Sequence, residues 1–194
     1  MARGIARQLG SPLIYSTISR LLVDINRSPR NPGLHTEVIQ RLPVKSRNEI
    51  IERHYSPIRA RAEAVIDHAV AKGERVIHIS SHSFTPVLDG VVRRADIGLL
   101  YDPARIGEVT LCSEWQACLK NREPSLRVRR NYPYTGKSDG FTAFLRRRFP
   151  AIEYIGIELE INQGIILEGG QAWRQRRALV IKSLAQAICQ WRSK

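Results

Sequence analysis

A layered α/β/α domain on a mixed, mostly parallel sheet is what this sequence predicts. Short β-branched runs alternate with amphipathic helical segments along the whole chain, the pattern such sheets produce. The 194 residues suffice for one hydrophobic core, so residues 1–194 are expected to form a single domain. A composition of 43% hydrophobic and 25% charged residues suits a globular protein. No apolar run approaches the ~20 residues that span a bilayer.

The elements follow in order. "ARGIARQL" reads as a helix closed by Gly10, since glycine suits the left-handed position after a helix. "SPLIYSTISRLLVDINRSP" is rich in β-branched residues with apolar alternation and predicts a β segment ending in the Pro/Gly/Asn loop "RSPRNPG". A helical stretch is predicted from Ser46 to Lys72, broken or kinked at Pro57. Its stripe is Ile58, Ala62, Val65, Ile66 and Ala69, and Gly73 ends it. "RVIHIS" predicts a buried strand that stops before His82, and "ADIGLLYDP" a second one stopped by Pro103. "GEVTLCSEWQACLKN" is a helix with Leu111, Trp115 and Leu119 on one face. "LRVRR" is a short strand and "NYPYTGKSDG" a loop, with Ser138 or Asp139 placed to cap the helix "FTAFLRRRF". "EYIGIELEIN" is a strand. An amphipathic helix closes the chain, with Trp173, Leu184, Ile188 and Trp191 as core contacts.

Net charge is +13, and most of it is arginine. That invites a nucleic-acid reading, but the basic residues are dispersed along the chain and no zinc-finger, RNP-like or basic-zipper pattern accompanies them. Nucleic acid is therefore not the expected main partner, and arginine equally suits bidentate recognition of carboxylates. Cys112, Cys118 and Cys189 form no C-x-x-C pair and read as free thiols of a reducing cytosol. The expected location is cytoplasmic, with no membrane partner.

Three polar clusters fall where strands end, the usual place for sites in open α/β sheets. Asp24, Asn26 and Arg27 sit in "VDINR", where Asn26 and Arg27 either hold a carboxylate or form an ordinary capped turn. His82, in "SSHSF", is a metal ligand or a structural residue, and spacing does not decide; His78 reads as a core histidine. Glu158 and Glu160 share one face of a strand, because side chains alternate. Two buried carboxylates are costly unless they pair with arginines or serve a function such as a general base.

In this order, "SRLLVDINRSP", "ISSHSFTPVLDG", "ADIGLLYDPAR", "RRNYPYTGKSDG" and "YIGIELEINQ" resemble the N-formylglutamate amidohydrolase family. More distantly, they are similar to zinc carboxypeptidases and succinylglutamate desuccinylases. The resemblance implies a zinc carboxypeptidase-like fold, zinc as cofactor, and a small acidic N-acyl amino acid as substrate. It implies His82 as a zinc ligand, Asn26 and Arg27 as holders of the substrate carboxylate, and Glu158 as general base ahead of Glu160. Arg130, Asn131 and Tyr132 would line the pocket. The reaction implied is hydrolysis of N-formylglutamate to formate and glutamate.

The family pattern also has an earlier strand ending in a histidine and, three residues on, a carboxylate or amide. None of His35, His54, His68, His78 and His82 is followed at that spacing by Glu or Asn. The first strand and two zinc ligands are thus expected outside these residues. A truncated, non-catalytic relative that binds an acidic ligand or a partner protein is the alternative expectation.

Overall fold

The computed structural model describes residues 1–193. Helix α1 (Ala2–Leu9) leads into an irregular segment and a single 3-10 turn, Pro32–Leu34. Short α2 (Glu37–Gln40) precedes a nearly continuous helical rod: α3 (Val44–Ile50), a π turn (Ile51–Tyr55) and α4 (Ser56–Ala71). Strand β1 (Val76–Phe84), the hairpin β2 (Val87–Leu88) and β3 (Val91–Val92), and β4 (Ile97–Leu100) follow. Then come α5 (Ile106–Arg122), β5 (Val128–Arg130), α6 (Phe141–Arg148), β6 (Tyr154–Asn162), α7 (Gln163–Leu167) and α8 (Gly170–Arg192). No helix among the described residues is long and apolar enough to cross a membrane.

The main sheet has the order β1-β6-β4-β5. β1 and β6 are parallel, β4 and β5 are parallel, and β4 meets β6 antiparallel, which makes the sheet mixed and mostly parallel. Alternation along β6 divides the molecule. Ile155, Ile157, Leu159 and Ile161 face Leu111, Trp115 and Leu119 of α5, Val180 and Leu184 of α8, and Ile5 of α1. Tyr154 faces the opposite layer, where Ile66 of α4 and Phe141 and Leu145 of α6 form a second core. Gly156, Glu158 and Glu160 share that second side, so the apolar core and the polar site lie on opposite faces of one strand.

Several local expectations are corrected. Residues 11–31 contain no strand. Tyr15 and Leu21 lie exposed, and Val23 alone of this segment joins a core cluster, with Leu34 and Tyr55. Local bonds take the place of a ladder: Ser19 Oγ accepts from Leu21 N at 3.2 Å, and Asp24 Oδ1 accepts from Asn26 N at 3.1 Å. Ser and Asp side chains compete with sheet pairing in this way. Pro57 does not break the rod. The ring and missing N–H of proline disturb the preceding turn, and the π turn absorbs this, with Ser56 N–H donating five residues back to Ile51 O.

β1 is a half-buried edge strand rather than a buried one, and it runs on through His82 to Phe84. The polar run Ser81–Ser83 reads as loop in sequence, but register with β6 carries it as strand, placing His82 beside Glu160 as Ser80 lies beside Glu158. Neither Ser138 nor Asp139 caps α6. Asn26 does so from 115 positions away, its Oδ1 accepting from Phe141 N at 2.9 Å. Asp139 instead accepts from Ser28 N and Asn31 Nδ2.

Candidate active site

A small cleft opens where the Asp24–Arg27 turn, the end of β1, the middle of β6 and the 134–139 loop converge. Glu158 lies at its floor, 6% exposed. Its Oε2 accepts from Asn26 Nδ2 at 3.2 Å and its Oε1 from Thr142 Oγ1 at 2.5 Å. Asn26 thus joins the first turn of α6 to Glu158 through one amide group. Gly140 keeps this junction open: a Cβ there would lie 3.3 Å from both Asn26 Oδ1 and Glu158 Oε1. The partially positive helix N-terminus favours a carboxylate at this point.

Glu160 is equally buried, and its Oε2 has no hydrogen-bond partner among the described residues. Burial first, then the charge of Glu158, pushes its carboxyl up to about 7, against the pull of Arg20 and Arg93. No arginine forms an ion pair with either glutamate among the described residues; Arg146 pairs with Glu108 instead. The arginine pairing considered from sequence is therefore absent at both positions.

His82 lines the same cleft, its Nε2 bonded to Ser80 Oγ at 2.7 Å. Burial lowers its pKa, with Glu158 and Asp24 pulling the other way. The neutral ring is the ligating form of histidine. His78 is the core residue expected, its Nδ1 bonded to Tyr154 Oη at 2.7 Å and its ring edge-on to Phe141. Burial pushes it down to about 4.

Arg27 reaches the cleft half-exposed, with Nε 3.9 Å from Asp24 Oδ2. Arg20, absent from the sequence-based candidates, lines it too, with Nη2 2.7 Å from Asp24 Oδ2. Its charge bears on both His82 and Glu160. The signal that could have found it is the four-residue spacing from Asp24 in "SRLLVD".

Arg130, Asn131 and Tyr132 do not line the cleft; Tyr134, Thr135, Ser138 and Asp139 do. Arg130 turns away to Ser113 Oγ. Asn131 adopts a left-handed φ of 49° and braces the loop, its Oδ1 accepting from Tyr101 N and Gly136 N at 3.0 Å each. Tyr132 crosses over Gly98, where an added Cβ would collide with Tyr132 O.

Zinc sites use three protein ligands when catalytic and four when structural. Among the described residues no three His, Cys, Asp or Glu side chains gather where a metal could sit. These residues alone do not make a zinc site, and His82 offers one donor.

Stability should report the Glu160 carboxyl. An unfolded glutamate titrates near 4.5 and the folded one near 7. Between these values the native state holds a proton that the unfolded chain has released, so raising the pH through this window costs stability, and above it the cost stays constant. Relative to Glu160→Gln, the wild type should lose about 2–3 kcal/mol between pH 4.5 and pH 7.5 in the presence of a chelator. Urea unfolding at both pH values measures this; parallel behaviour of the two proteins would place Glu160 in a solvated setting.

Comparison with known proteins bears on the whole chain. The profile of the N-formylglutamate amidohydrolase family matches residues 1–167. No curated protein sequence matches the chain. Among solved structures, gene product Atu2144 from Agrobacterium tumefaciens is 26% identical with a TM-score of 0.80, covering 97% of this chain and 75% of that one. The N-formylglutamate amidohydrolase from Ralstonia eutropha JMP134 is 19% identical with a TM-score of 0.63, covering 92% of this chain and 77% of its own, and supports the fold alone. With most of its length matched by that one profile, the chain belongs to the N-formylglutamate amidohydrolase family.

Proposed function

We propose that this protein hydrolyses the amide bond of a small N-acyl acidic amino acid, with N-formylglutamate yielding formate and glutamate. The observation that carries this reading is the pair of buried carboxyls, Glu158 and Glu160, on the floor of a cleft that Arg20 and Arg27 also line. Arg27 holds a substrate carboxylate, and the remaining N–H of Asn26 serves the same anion. Arg20, whose charge bears on the reactive end of the cleft, stabilises the carbonyl oxygen as it gains charge. Glu158 takes the proton of the attacking water. Glu160, protonated up to about neutral pH, returns a proton to the departing amine. Water's hydroxyl thus ends on the formyl carbon, and the C–N electrons leave with the protonated nitrogen.

Zinc is the cofactor proposed, with His82 as one ligand and two more from a strand outside these residues. The unpaired edge of β1 is where such a strand would add. No step above depends on the metal.

The second reading is a non-catalytic relative that binds the same acidic ligand, favoured by the lone cleft imidazole. Calorimetry with N-formylglutamate, alongside NMR detection of formate in zinc-supplemented buffer, separates them. Binding with formate release supports the amidohydrolase, binding without release supports the second reading, and absence of both sinks the pair. In either case Arg27→Ala should weaken N-formylglutamate binding about tenfold or more, as loss of a charge-assisted bond does. Unchanged affinity would remove Arg27 from the pocket.

A further inference from the structure

The +13 charge is not spread evenly over the folded molecule. Residues 37–74, which contain α2 to α4, carry seven basic and six acidic side chains. Helices α1 and α8 contain no Asp or Glu. They come from opposite ends of the chain yet pack together, Gly4 lying against Ile181 and the Met1 ammonium beside Arg177. Arg3, Arg7, Arg174, Arg177, Lys182 and Arg192 are all exposed on this pair. None of them forms an ion pair among the described residues.

A second observation points outward. Helix N-termini are already partially positive and favour acidic side chains in the first turn. Both α1 and α8 have none there. Arg3 instead stands at the second position of α1, and Arg174, Arg176 and Arg177 fall within the first eight residues of α8. Arg3 adds its charge to the positive end of α1, while Arg7 and Arg192 lie in last turns, where cations are favourable. What the face lacks is any acidic partner of its own, and an external polyanion supplies it.

We propose that the α1/α8 face binds the phosphate backbone of duplex nucleic acid without reading its sequence, on the side of the sheet away from the cleft. The 23 residues of α8 span about 34 Å, close to one turn of B-form duplex. No exposed large apolar side chain belongs to α1 or α8, and Trp173 and Trp191 pack against the core. Neither helix therefore offers the apolar anchors of a membrane-surface helix or a row of aromatic platforms for single-stranded bases; the exposed ring beside α1, Tyr15, is covered by Arg3 with its guanidinium 4.8 Å from the ring centre. Arginine's fork suits phosphate oxygens.

Fluorescence anisotropy with a labelled 20-base-pair duplex of arbitrary sequence tests this, at 50 and 200 mM salt. About six phosphate contacts predict micromolar binding at the lower salt and a loss near a thousandfold at the higher. Exchanging Arg7, Arg174, Arg177 and Lys182 for glutamine should abolish most of the affinity and flatten the log–log salt slope by about 3.6. A control exchanging Arg41, Lys45, Arg53 and Arg61 for glutamine removes the same charge from the opposite layer and should change affinity less than about threefold. All eight side chains are exposed, so both variants should melt with the wild type. No binding at 50 mM salt, equal losses in both variants, or tighter binding to phosphatidylserine-containing vesicles than to duplex would each overturn the proposal.

Discussion

Replacing Arg146 with leucine is expected to cost the fold about 3–5 kcal/mol, enough to unfold a domain of ordinary stability. Arg146 and Glu108 are the most deeply buried ion pair among the described residues, with side chains 5% and 0% exposed. Arg146 Nε lies 3.0 Å from Glu108 Oε1 and 3.1 Å from Oε2, while its other nitrogens donate to Gly136 O and Gly156 O. Glu108 also accepts from the backbone N–H of Asp102 and Gly156. The pair therefore ties α5 and α6 to β6 and to the loop beneath the cleft. Removing the cation strands a carboxylate with no water to reach it, and that uncompensated charge is the main cost. The double exchange Arg146→Met with Glu108→Gln removes both charges and keeps an acceptor for one of the two N–H groups, which meet different oxygens of Glu108, so it should recover about half the loss. Urea unfolding gives both numbers; a loss below about 1 kcal/mol for Arg146→Leu would mean that water reaches Glu108.

What was legible in the sequence follows from how local each signal is. The helix around Leu111, Trp115 and Leu119 and the strand over Tyr154–Asn162 announce themselves through their own periodicity, and all three helix residues are fully buried. The pairing of Glu158 and Glu160 on one face needs only alternation. Residues 11–31 mislead because β-branched content reports a preference for extended backbone, not the presence of a neighbouring strand. His82 reads as a loop residue because its strand is made by register with β6, more than seventy positions away. Asn26 was expected to contact substrate and does line the cleft, but its amide also caps α6 and holds Glu158. The 130–132 positions missed the wall by a few residues, since the left-handed turn at Asn131 sends the chain away before Tyr134 brings it back. The α1/α8 charge face was illegible for the same reason as the Asn26 cap: its parts are far apart in the chain.

Glu158→Gln is expected to lower turnover of N-formylglutamate by about 10²–10⁴ while leaving both fold and ligand binding in place. The swap preserves shape, and the hydrogen bonds can be rebuilt. The carbonyl of the substituted side chain accepts from Asn26, and its amide donates to Thr142, whose hydroxyl accepts as readily as it donates. Only the capacity to take a proton is lost. Glu160 is the competitor for that role, and its environment argues for the complementary one. Its unpartnered oxygen and raised pKa make it the carboxyl that holds a proton near neutral pH, whereas Glu158 is met by two donors placed for an anion. Rates in zinc-supplemented buffer and calorimetric affinities for both variants distinguish the assignments. With Glu158 as base, Glu158→Gln stays inactive at every pH, and Glu160→Gln retains some turnover but loses the inflection near pH 7. A Glu158→Gln protein that keeps more than a tenth of wild-type turnover would move the base to Glu160. Asn26→Ala should then act through Glu158, lowering kcat more than it raises KM, because the amide that orients the carboxylate is gone while Arg27 still holds the substrate.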